Sequence, residues 1–128
     1  MTKLLPIFIL LFAGFAFSQT NEHAVARYSV NDKLIGLANL YTGLSDCSIR
    51  SVAGKVKDID RLGNSAEVTI KVDKKTKAKV IVPLDRVVDA DRRAVFRHLI
   101  TKNNVIRVSG YACNPDEPFS AFSVDRVY

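Results

Sequence analysis

Apolar and polar positions change their period several times along this chain. Leu34, Leu37, Ala38 and Tyr41 recur at helical spacing, and Ser29 or Asn31 could cap a first turn by accepting a backbone N–H. This predicts a short helix over residues 31–42, ended by Gly43, which reaches a left-handed C-cap without steric cost. From residue 48 the period becomes two. Val52, Gly54 and Val56 alternate with Ala53, Lys55 and Lys57, and the glycine marks a bend or bulge in a long strand over residues 48–59. A turn over residues 61–65 leads to a strand over residues 67–73, with Val68, Ile70 and Val72 inward. A charged turn over residues 73–77 and a strand over residues 78–84 complete a hairpin. Helical spacing returns over residues 90–101, where Arg92, Val95, Phe96, Leu99 and Ile100 share a face behind Asp89 or Asp91 as cap. Residues 105–113 and 119–127 alternate once more, around a turn containing proline.

The start of the chain has a different character. Lys3 precedes an almost wholly apolar run at residues 4–15, and Ala16 and Ser18 are small residues at the spacing of a secretory cleavage site. A run of about a dozen residues is too short for a stable membrane span. The expectation is a signal peptide over residues 1–18, one domain over residues 19–128 and a periplasmic or secreted bacterial location. Both cysteines lie in the mature part, and an even count in an exported chain favours a disulfide between Cys47 and Cys113. Neither belongs to a C-x-x-C unit or sits close to a histidine, which argues against a redox or metal pair.

Helix, three strands, helix, two strands is the chain order of an OB-fold preceded by an extra helix. The stretch Val52-Ala53-Gly54-Lys55-Val56 looks like the first strand of such a domain, and Val105-Ile106-Arg107-Val108-Ser109-Gly110 like the fourth. Over about residues 48–128 the sequence resembles small exported bacterial OB-fold proteins, related in shape to tRNA-anticodon-binding domains. The resemblance implies a mainly β fold with two helices, a five-stranded Greek-key barrel preceded by a short N-terminal helix. Its first and fourth strands would be antiparallel neighbours, which brings Cys47 and Cys113 together.

The formal net charge of +6 at pH 7 draws the domain towards anions without identifying them. His23 and His98 are isolated, no G-x-S-x-G occurs, and neither a metal nor a cofactor is expected. Asp58, Asp60, Arg61 and Arg107 have the residue types of a staphylococcal-nuclease-like OB enzyme, but they align with no motif of that family one by one. A binding role fits better. The OB resemblance places the binding surface on the outer face of the second and third strands, where Lys71, Lys74, Lys75, Lys77 and Lys79 concentrate positive charge. The same lysines could equally protect a hairpin tip from edge-to-edge association. Residues 67–84 contain no aromatic side chain, so Tyr111 is the nearest stacking platform, and Arg92, Arg93 and Arg97 form a second positive cluster that reads as a solvated helix face. The expected function is an exported, non-enzymatic OB-fold module contacting a protein or anionic polymer. The alternative is a nucleic-acid-binding or nuclease-like protein outside the cytoplasm.

Overall fold

The computed structural model describes residues 23–41, 46–114 and 118–127. The segment expected to be a signal peptide and the expected helix stop at Gly43 lie outside the described residues. Seven strands form one mixed sheet: β1 (Val25–Tyr28), β2 (Leu34–Ala38), β3 (Ser48–Arg61), β4 (Ser65–Lys71), β5 (Lys77–Pro83), β6 (Val105–Ala112) and β7 (Phe119–Arg126). A single helical segment separates β5 from β6. It begins as α1 (Asp89–Ala94) and continues as a π-helical turn, Val95–Leu99, in which the Ile100 N–H donates to the Val95 carbonyl at 2.7 Å.

The strands that the period of two predicts from residue 48 onward are present, with ends displaced by a residue or two. The helix predicted over residues 31–42 is not. Ser29 and Asn31 take part in a hairpin turn instead of a helix cap. The Ser29 hydroxyl accepts from the N–H groups of Asn31 and Lys33, both at 3.3 Å, and the Ser29 N–H donates to the Lys33 carbonyl at 2.9 Å. Asp32, at φ 60°, takes the left-handed conformation that short polar side chains tolerate. The chain then returns as β2, antiparallel to β1, and buries Leu34 and Leu37 as strand residues.

This hairpin changes the architecture. β2 pairs with β7, β7 pairs with β6 and, in parallel, with β5, and the sheet order is β1-β2-β7-β5-β4-β3-β6. The β5–β7 junction consists of two residue pairs, Val80 with Phe119 and Ile81 with Ser120. Among the described residues the fold is therefore a seven-stranded mixed sheet with one helical segment, not the five-stranded OB-fold Greek-key barrel with two helices that the resemblance implied. The likeness to exported OB-fold proteins has no support beyond the short strand motifs that prompted it.

Strand β3 is long because it serves two partners. Its first half, residues 48–55, pairs with β6, and its second half, residues 55–61, pairs with β4 across a register shift between Val56 and Asp58. Cys47 and Cys113, just outside the Ser48–Ala112 pair, are joined by a disulfide with their Cα atoms 4.5 Å apart. Strands β3 to β7 each turn one face to the core: Val56, Val68, Ile70, Val80, Val82, Ile106, Val108 and Val124 are fully buried. Val95, Leu99 and Ile100 of the helical segment pack into the same cluster with Leu34, Leu37 and Leu40. Among the described residues no polar or charged side chain is buried with them, so charge is confined to surfaces and grooves.

Candidate anion-binding groove

The turn after β3 and the helical segment face each other and are tied together by hydrogen bonds. Leu84 N–H donates to the Asn64 carbonyl at 2.7 Å. Arg92 donates through Nε to the Val87 carbonyl at 3.0 Å and through Nη1 to the Asn64 side-chain oxygen at 3.3 Å. Gly63, at φ 76°, supplies the left-handed turn residue that brings the chain round from β3 to β4. Arg61, the last residue of β3, lays its guanidinium over the Phe96 ring, 3.8 Å from the centroid, a close cation–π stack.

Between these elements lies an open cavity of about 510 Å³ lined by Arg61, Gly63, Leu84, Arg92, Arg93, Phe96 and Arg97. Four arginines thus line one cavity, and among the described residues no carboxylate lines it. Arg93 and Arg97 are exposed and stand one helical turn apart, a spacing at which like charges repel unless an anion lies between them. Among the described residues, none of Arg61, Arg93 and Arg97 has an acidic partner within 4.0 Å, whereas Arg27 is paired with Asp125 at 2.8 Å. A second cavity of about 420 Å³ shares Arg61 and Phe96 with the first and is also lined by Ile59, Ile100, Thr101 and Lys102.

The lysines singled out in the sequence lie elsewhere. The β4–β5 hairpin has its Ser65–Pro83 end near the arginine groove and its Lys71–Lys77 end at the opposite pole. Lys55, Lys71 and Lys77 are in register across β3, β4 and β5, and Lys79 faces Glu67 at 3.8 Å. Lys74 and Lys75 are exposed in the turn, which Asp73 organises by accepting the N–H groups of Lys75 at 2.9 Å and Thr76 at 2.8 Å. Those bonds from Lys75 and Thr76 hold the Asp73 carboxyl below its ordinary range. The turn is thus a well-formed hairpin tip. Tyr111 does not join it. Tyr111 pairs in register with Ile49, six positions along β3 from Lys55, roughly 20 Å away at strand rise. Its ring packs against Tyr41 and Phe122 at 5.7 and 5.1 Å between centroids. The binding module expected on the outer face of the second and third strands thus loses both the fold that defined that face and the aromatic platform beside it.

Of the nuclease-type residues, Asp58, Asp60 and Arg61 fall together at the end of β3 and Arg107 stands apart from them. Arg107 is opposite Ala53 while Arg61 ends the same strand, roughly 25 Å further along. Among the described residues no three His, Cys, Asp or Glu side chains are placed to share a metal ion. The nuclease-like alternative therefore falls with the OB-fold on which it rested. His23 is exposed, and His98 is half-buried. Its carbonyl accepts from the Asn104 amide at 2.9 Å.

Spacing marked Arg92, Arg93 and Arg97 as one positive cluster, but not Arg61 and Phe96 as its companions. Phe96 falls in the apolar series of the helical segment, and only the folded chain shows it half-exposed beneath Arg61. No family model matches the chain, and a search of curated proteins returned no match. No helix among the described residues is long and apolar enough to cross a membrane.

Proposed function

We propose that this protein is a binding module that receives an anionic partner in the groove between the β3–β4 turn and the helical segment. The observation that carries this reading is that Arg61, Arg92, Arg93 and Arg97 line one open cavity in which, among the described residues, no acid takes part. Guanidinium groups present planar forks of N–H donors that match carboxylates and phosphates two bonds at a time. Holding four of them together is electrostatically unfavourable until an anion neutralises them, so the groove gains more from an anion than dispersed surface charge would. The Cys47–Cys113 disulfide supports a working place where thiols stay oxidised.

Fluorescence anisotropy with labelled poly-glutamate and labelled polyphosphate tests this. The double variant Arg93→Glu/Arg97→Glu alters two exposed side chains and should weaken binding at least about tenfold, since close charge pairs across an interface contribute on the order of 1 kcal/mol or more each. Lys74→Glu/Lys75→Glu, at the opposite pole, should change affinity less than about twofold. Equal losses from the two variants would show that net charge, not the groove, does the binding.

A further inference from the structure

We infer that the occupant of the groove is an acidic peptide segment that places carboxylates against the arginines and one apolar side chain in the adjoining cavity. This rests on the anion-binding reading above and adds the chemical class of the partner. The two cavities share Arg61 and Phe96 as a common wall, so they are neighbouring compartments of one surface. Their linings overlap without being the same. Arg92, Arg93 and Arg97 line only the first, whereas the second adds the part-exposed Ile59 with Thr101 and Lys102 over the buried Ile100. A ligand made only of anionic units engages the arginines of the first and leaves the part-exposed Ile59 of the second facing water. An extended peptide presents side chains on one face every roughly 7 Å, so an acidic residue and an apolar residue two positions apart can enter both.

A nucleic acid suits the surface less well. Base recognition without pairing relies on stacking against an open π face. The Phe96 ring is already covered by Arg61 at 3.8 Å, and a base would have to displace that guanidinium to reach it.

The test uses two labelled peptides of about twelve residues, rich in Asp and Glu, that differ only in a central Leu or Ser, with polyphosphate and oligo-dT as further probes. Partial burial of the leucine should make the Leu peptide at least about fivefold tighter than the Ser peptide on the wild-type protein. Thr101→Phe, which fills the second compartment, should abolish that preference while holding Ser-peptide affinity within about twofold. Arg97→Glu should weaken both peptides alike. Equal binding of the two peptides, a preference that survives Thr101→Phe, or tighter binding of polyphosphate or oligo-dT than of the Leu peptide would each overturn the peptide inference and leave the anion groove standing. Binding of none of the four probes would remove both. Should Thr101→Phe fail to fold, the wild-type comparison of the two peptides decides alone.

Discussion

Gly54 lies where β3 leaves its pairing with β6 and turns towards β4, and the carbonyl of Lys71 crosses the place a side chain would occupy. A Cβ built there would be 2.2 Å from that oxygen. The contact is with backbone, which cannot move aside without disturbing the β3–β4 ladder. Gly54→Ala is expected to lower stability by about 2 kcal/mol, within the range for overpacked sites, as a shift in urea midpoint with an unchanged slope. Tyr28 offers a test in pH. Its hydroxyl donates to Asp91, and this bond, followed by partial burial and the negative charge of Asp91, pushes its pKa from 10.0 up to about 12. The phenol is therefore held neutral in the folded protein. Its contribution to stability is complete below pH 10 and disappears as pH rises towards about 12. Tyr28 is 41% exposed, so the contribution is small, about 0.5–1 kcal/mol near neutrality. Tyr28→Phe should lower the urea midpoint near neutral pH, and the difference from wild type should vanish at strongly alkaline pH. A difference that stayed constant with pH would exclude the hydrogen bond as its source.

Among the elements, the β4–β5 turn depends on one side chain. Asp73 accepts two backbone N–H groups, an arrangement that fixes the turn without any core contact. Asp73→Ala should leave the sheet intact and speed hydrogen exchange at the Lys75 and Thr76 amides, readable by NMR residue by residue. Unchanged exchange would mean that the Val72–Thr76 backbone bonds hold the turn alone. Such local chemistry explains both the successes and the failure of sequence reading. From β3 to β7 the alternation is imposed by burial of one face, which leaves a period of two in the sequence. The helical segment keeps its own period through Val95 and Leu99. Between residues 29 and 38 the same short polar side chains that cap helices close a hairpin, and Leu34 and Leu37 fit a helical stripe as well as a strand that is buried on both sides near Gly36. The strand prevails because β7 offers Val124 and Asp125 as ladder partners, a long-range fact absent from any local window. The groove was half-legible for a similar reason: three arginines share a helix, but Arg61 and Phe96 are brought to them only by the fold of the β3–β4 turn.

At the scale of the whole molecule, β3 separates two jobs along its length. Its first residue adjoins the disulfide and its last carries Arg61 into the groove, so the covalent tie and the candidate binding surface stand at opposite ends of the longest strand. Between them lie the β6 ladder, the register shift between Val56 and Asp58 and the β4 ladder, each ladder held by its own backbone hydrogen bonds. The disulfide closes a loop of sequence separation 66, so its main effect is on the unfolded chain, with a stabilisation of roughly 4 kcal/mol in the simple loop model and less where the reduced chain keeps residual structure. Folding stability and groove affinity should therefore respond differently to its loss. The Cys47→Ser/Cys113→Ser variant is expected to lose about 2–4 kcal/mol of stability in urea titrations. At temperatures where it remains folded, its affinity for labelled poly-glutamate should stay within about twofold of wild type, because the β3–β4 turn and the helical segment keep their contacts through Asn64 and Arg92. A large loss of affinity in the folded variant would show that strain at one end of β3 reaches the other and would replace this independent-ends picture with a coupled sheet.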